Sequence, residues 1–425
     1  MRKSLKIVLW AIFTLLCLGF IVKEAMGNGD FKIFLEAAKL LRENENLYNK
    51  WIDVSEGASG LYYYSPLFAL LLVPFSYLPY FIPNLLWLLA SVFFLYRIWV
   101  LIAEYFDLKG FGRKSKNLLL FLTLLFTIRF IHLNFGMIQM TIFLLWSMLE
   151  SVHAFNNKQN IKGAAILALA INIKILPLVL IPYLVYRNKW KPVLIISIIF
   201  IALLFIPALF IGFEYNNFLL SEWWRQVNPI ESEKMFGTAM GFHSLTALIP
   251  ALLNETDSAI DLQRHIVNLD LKYIYIIQYS FQVSFILFTI YFLRTLPFRP
   301  ARSKSHELWE LSYIILLIPL IFPHQQKYAF VLILPAVAYI MYFLISLYKF
   351  DNEEYVKRKW VITVLLLVAA FILLALTSDM IVGRQLNRLS QHYKTITYGA
   401  ILLLIVLTRC NPKYIERINP HAMIN

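Results

Sequence analysis

The chain has 425 residues, of which 60% are hydrophobic, 16% aromatic and only 15% charged; this excludes a soluble globule of ordinary composition and predicts an all-α polytopic membrane protein. The formal net charge of +14 would suit a nucleic-acid binder in a soluble chain, but here Lys and Arg gather between apolar runs, in the segments that the positive-inside rule assigns to the cytoplasm, and no nucleic-acid partner is expected. Cys17 and Cys410 are too few and too far apart to suggest a disulfide framework or a metal site.

Residues 5–22 form the first apolar run, with Arg2, Lys3 and Lys6 on its basic flank. It lacks a small-x-small cleavage site and reads as an uncleaved anchor. A first outer loop, 23–79, follows. Its stretch GNGDFKIFLEAAKLL puts Phe31, Phe34, Leu35, Ala38 and Leu41 on one helical face and Lys32, Glu36, Lys39 and Glu43 on another, which predicts an amphipathic helix at the outer membrane surface. Asp30 stands at the start of that helix and has two readings. As an N-cap its carboxylate would accept backbone N–H groups and meet the positive end of the helix dipole; as a base it would serve chemistry. Next comes LYYYSPLFALLLVPFSYLPY, a tyrosine cluster and an apolar run too short to span before Pro74 and Pro79, which predicts a half-helix beside the loop. The tyrosines, Tyr64 among them, suit an interfacial belt or a sugar-stacking cavity.

Hydropathy places further spans near 80–105, 117–133, 138–155, 190–213, 271–294, 308–323, 326–348, 360–379 and 395–409. Residues 163–186 do not read as one crossing. Lys174 and Pro177 interrupt them, and Lys158 and Lys162 before, with Arg187, Lys189 and Lys191 after, place both ends on the same side. Two half-crossings meeting around 172–177 satisfy that pattern, since broken backbone is tolerated at depth where it lines a polar cavity, and the total becomes roughly 12 segments. Both termini then lie in the cytoplasm. The outer segments 23–63 and 214–272 carry more acidic than basic residues, and 214–270 forms a second large outer loop within what reads as a single integral membrane domain, 1–425. The sequence shows no internal repeat.

The order of several stretches resembles glycosyltransferase family 87, the polyprenyl-phosphate-mannose-dependent mannosyltransferases of the GT-C superfamily. They are GDFKIFLEAAKLLRENENLYNKW, YYYSPLFALLLVP, NFGMIQMTIFLLWSMLE, IKGAAILALAINIKILPLVLIPYLVYRNKWK and, less closely, GFHSLTALIP, where Phe242 and His243 replace the Asn-Gln pair of the family pattern. The resemblance implies a GT-C-like helical bundle with an outward-facing active site and a lipid-phosphate-linked sugar as donor. It also implies that an aspartate of the first outer loop is the base, and Asp30 is the position that matches.

Inverting sugar transfer needs a carboxylate to take the acceptor hydroxyl proton and cations to stabilise the departing lipid phosphate. Lys174, in INIKILP, is expensive at membrane depth unless it has a partner, and a phosphate suits it; the alternative is a lysine that snorkels or pairs structurally. In IRFIHLNFGMIQM, Arg129, His132, Asn134 and Gln139 crowd one outer turn, which suggests a polar cavity, although an arginine or histidine at a membrane boundary is also ordinary. The outer turn FPHQQKY presents His324 and Lys327, which would reach the same phosphate if the turns converge. Asn172 and His243 complete the expected substrate cavity. Trp223 and Trp224 suit either a sugar grip or interfacial anchoring.

The sequence contains no glycine-rich phosphate loop, no His-Glu-x-x-His, no nucleophile elbow and no Asp-x-Asp pair; Glu43-x-Glu45 and Glu231-x-Glu233 are weak metal candidates. No metal and no cofactor are expected. Two functions fit. The first is a glycosyltransferase that moves a mannose-like hexose from a polyprenyl-phosphate donor to a lipid or glycan acceptor on the outer face, with inversion. The second is a transporter or flippase for a lipid-linked glycan, which would carry ionisable residues near midplane and a repeated architecture, whereas here the polar groups gather at the outer ends of spans. Membrane lipids, the donor and the acceptor are the expected partners. The absence of an endoplasmic-reticulum retrieval tail makes a bacterial inner membrane the expected location.

Overall fold

The computed structural model describes residues 3–55, 58–228, 237, 239–256, 260–293, 297–350 and 354–418. The Glu231-x-Glu233 pair and part of the 214–270 loop lie outside the described residues. The described chain is helical apart from one antiparallel hairpin in the first loop, Ile52–Ser55 with Ala58–Gly60.

Among the described residues, five helices are long and apolar enough to cross a membrane: Phe81–Ala103, Arg113–Gly136, Trp190–Ile211, Leu271–Leu293 and Lys327–Phe350. Two bent pairs, Trp360–Leu376 with Asp379–His392 and Thr395–Arg409 with Pro412–Ile418, raise the number to seven if each is one span. The protein is therefore a polytopic membrane protein. The broken stretch expected at 163–186 is present as two short apolar helices, Asn160–Ile173 and Leu176–Tyr186, which part at Lys174. Lys174 is extended, with φ −144° and ψ 127°. Pro177, three residues on, has no N–H to continue the ladder.

The chain divides into two compact units, one of 1–99, 132–178 and 191–228, the other of 100–131, 179–190 and 229–425. In the first unit, Phe31–Arg42 buries Phe31, Ile33, Phe34, Leu35, Ala37, Ala38 and Leu41. Protein covers this apolar face: the Pro66–Leu72 helix, with Pro66 at its first turn, and the 3₁₀ turn Val73–Tyr77 pack on it. Each large side chain so buried contributes about 1.5–3 kcal/mol, well above any helix-propensity term. The polar face is tied down as well, Lys39 Nζ donating to Glu36 Oε1 at 2.9 Å and to the Tyr80 hydroxyl at 2.6 Å. The helix is thereby held in place along its second half.

The start of the helix docks on the turn after Arg113–Gly136. The Asp30 N–H donates to Met137 O at 2.9 Å, and a Cβ on Gly29 would stand 2.7 Å from the same oxygen and 2.9 Å from Ile138 Cγ1. Only glycine permits so close an approach. Gly29→Ala is expected to cost about 1–3 kcal/mol through overpacking, seen as a lower melting temperature in bilayer discs.

In the second unit, Thr395–Arg409 packs on Glu354–Phe371, whose helix runs into a π-helical turn, Ile372–Leu376. The exposed carbonyls of that break are satisfied by Arg129: its Nη1 donates to Leu374 O and Thr377 Oγ1, each at 2.7 Å, and its Nη2 to Thr377 O at 3.2 Å. Asn387 Nδ2 also donates to Thr377 O, at 2.6 Å.

Candidate active site

The first unit assembles a polar corner from three stretches far apart in sequence. Asp30 comes from the first loop, Gln139 from the turn after Arg113–Gly136, and Lys174 from the break between two short helices. Asp30 occupies the N-cap position of Phe31–Arg42, yet its backbone is helical at φ −61° and ψ −15° and its side chain makes no capping hydrogen bond. The capping reading is thus replaced by another contact: Asp30 Oδ2 accepts from Gln139 Nε2. Gln139 is itself fixed, because its carbonyl accepts from Trp87 Nε1 at 3.1 Å and its N–H donates to Asn134 O at 2.9 Å. Ile138, just before it, is fully buried with φ +49°, a left-handed conformation that β-branched residues avoid.

Lys174 is the opposite charge that faces Asp30. Its Nζ lies 5.6 Å from the centre of the Tyr64 ring, a cation–π distance. Tyr64 is held edge-on by Phe34, with ring centres 4.5 Å apart, and its carbonyl accepts from the Tyr48 hydroxyl at 2.9 Å. Asn172, fully buried two residues before Lys174, accepts from Ser65 Oγ at 2.6 Å. Its Nδ2, and the Oε1 of Gln139, are buried without a hydrogen-bond partner. Two such groups, one donor and one acceptor, suit a hydroxyl-rich ligand. Burial pushes the Asp30 carboxyl above its ordinary value, while the Lys174 charge and the Gln139 hydrogen bond pull it back. His132 belongs to the same unit and packs on Phe20, ring centres 5.4 Å apart. Trp223 is buried and donates to Tyr63 O at 3.2 Å, whereas Trp224 is exposed.

The second unit holds a separate group. The short bridge between Phe242 and Gln326 sets the 239–244 turn against FPHQQKY, with the His243 N–H donating to Gln325 O at 2.8 Å and Thr397 Oγ1 donating to His243 O at 2.6 Å. The His243 ring is wholly buried, and neither ring nitrogen has a hydrogen-bond partner. Burial, with the charges of Lys394, Lys327 and Arg129, holds its imidazole well below the usual range, so the ring is neutral near pH 7. Asp379 is the carboxylate that faces Arg129 and Lys327. His324 is exposed and meets Phe242 edge-on, ring centres 5.0 Å apart.

Of the residues singled out in the sequence, Asp30, Gln139, Lys174, Tyr64 and Asn172 therefore share one corner, and Arg129, Lys327, His243 and His324 belong to the other unit. Sequence reasoning missed Ser65, Asp379 and Lys394. Lys394 is almost fully buried, with its ammonium donating to Ala239 O at 2.8 Å, and its signal was a lone lysine in QHYKTITYGA at the edge of an apolar run. Among the described residues, no three His, Cys, Asp or Glu side chains group as metal ligands.

Neither curated proteins nor solved structures yield a match to this chain. Residues 62–253 match the model of Glycosyltransferase family 87, a stretch that includes Tyr64, Arg129, His132, Gln139, Asn172, Lys174 and His243 and leaves Asp30, His324 and Lys327 outside. By that match, residues 62–253 of this polytopic membrane protein form a Glycosyltransferase family 87 domain.

Proposed function

We propose that the protein transfers a mannose-like hexose from a polyprenyl-phosphate donor to a lipid or glycan acceptor at the outer membrane face, with inversion at the sugar carbon. The observation that carries this reading is the Asp30 carboxylate: it sits where a cap would sit, does not cap, and instead points into a buried corner beside Gln139 and Lys174. In the proposed step the acceptor oxygen attacks the anomeric carbon while the bond from that carbon to the phosphate oxygen breaks. Asp30 takes the hydroxyl proton, and the lipid phosphate leaves with the bonding electrons. Lys174 offsets the charge that develops on the phosphate. Gln139 aims the base, and Tyr64, Asn172 and His132 form the proposed sugar cavity. No metal enters the step. The short helices Pro66–Tyr77, Asn160–Ile173 and Leu176–Tyr186 are proposed as half-crossings in a GT-C-like bundle of roughly 12 segments, since broken backbone at depth must line a polar cavity. A bacterial inner membrane, with both termini in the cytoplasm, is the proposed setting.

The test is sugar transfer from radiolabelled polyprenyl-phosphate mannose to extracted lipid acceptors by purified protein in proteoliposomes. Product formed from donor in the outer leaflet supports the proposal. Movement of label between leaflets without a new glycosidic bond would identify a flippase instead.

A pH profile follows from the raised Asp30 value. Burial favours the protonated carboxyl, so the stability it contributes below the ordinary aspartate value is lost as pH rises through the folded-state value, while a base needs the ionised form. The acid limb of kcat is therefore expected above the value of about 3.9 for a free aspartate, and a limb at or below it would remove Asp30 from the base role.

A further inference from the structure

In the second unit, a groove of about 840 Å³ runs between Arg113–Gly136, Leu334–Phe350 and Glu354–Phe371, and none of its lining residues enters the proposed chemistry. We propose that it binds one anionic glycerophospholipid of the cytoplasmic leaflet. Its volume lies within the range of about 300–1,000 Å³ that serves bound small molecules.

The groove has a charged end and an apolar end. Lys114 and Lys349 mark the first, at the start of one helix and the last turn of another. Lys349 donates to Gly110 O, in the turn that leads to Lys114, and lies 5.4 Å from the Phe111 ring centre, so both ammonium groups belong to one mouth. From there Leu118, Leu122 and Phe126 follow Lys114 along one helical face. Phe126 meets Phe371 with ring centres 5.2 Å apart and closes the far end. Lys114 to Phe126 spans about 18 Å of helix, a length suited to an extended acyl chain, and Leu118 is 46% exposed, so the groove opens sideways toward lipid.

Charge selects the occupant. Lys109, Arg113, Lys114 and Lys116 crowd the same loop and helix start, the segment that the positive-inside rule puts in the cytoplasm. Basic pockets between helices on that side suit anionic head groups. Arg129 stands on the same helix about 22 Å beyond Lys114, so the groove's charged end is distinct from the cation group around His243.

The test is native mass spectrometry and thermal denaturation of the purified full-length protein with dioleoyl phosphatidylglycerol, dioleoyl phosphatidylcholine, glycerol 3-phosphate or polyprenyl phosphate. Phosphatidylglycerol should be retained and stabilising. Lys114→Ala, at an exposed side chain, should weaken its retention about fivefold, and Leu122→Trp, which fills the groove and leaves both lysines, should abolish it. Three outcomes would overturn the proposal: equal retention of phosphatidylcholine, retention of phosphatidylglycerol unchanged by both folded variants, or binding of glycerol 3-phosphate as tight as that of the lipid. Preferential retention of polyprenyl phosphate would reassign the groove to the donor's carrier.

Discussion

Asp30→Asn is expected to fold, bind donor and lose turnover by about 10²–10⁴-fold, the usual contribution of a general base. The substitution is nearly isosteric, and the Asn carbonyl can still accept from Gln139, so the corner keeps its shape. What disappears is the capacity to take a proton. Because the side chain makes no capping bond, the melting temperature should hardly move. Turnover within a few-fold of wild type, with a clear fall in stability, would return Asp30 to a structural role and move the base elsewhere.

Lys174→Met should lower kcat/KM by about 10²–10³-fold if the ammonium stabilises the leaving phosphate. It makes a second, independent demand. Lys174 is the charge that holds the Asp30 carboxyl down against burial, so its removal should move the acid limb of kcat to higher pH. A cation that only packs on Tyr64 would leave donor affinity intact, and a limb that stays in place would show that the two charges are uncoupled. The Asp30→Asn, Lys174→Met pair should be less than additive, since each substitution removes one partner of the same contact.

Much of this was legible in the chain because membranes impose strict rules on sequence. Apolar length and basic flanks located the long helices, and Lys174 with Pro177 announced the break that the structure places there. Asp30 and Gln139 were each singled out, but their contact joins residues 109 apart, and no local period encodes it. The same limit applies to the Phe31–Arg42 helix, whose period gave the apolar face and not its cover, and to Arg129. A guanidinium at a span boundary reads as interfacial; that it fastens the break at Leu374 and Thr377 depends on a helix 245 residues away. Lys394 was missed because a lysine beside an apolar run looks like a flank, and only the tertiary fold buries it.

The turn that carries Gln139 puts Ile138 in a left-handed backbone, which costs on the order of 1–3 kcal/mol, and the surrounding packing holds it there. Relaxing that turn would let Gln139 swing and release the Asp30 carboxylate that it holds. The strain is borne once, during folding, and not again in each catalytic cycle. The direction of the Asp30 carboxylate is thus set by the fold itself, before any ligand arrives.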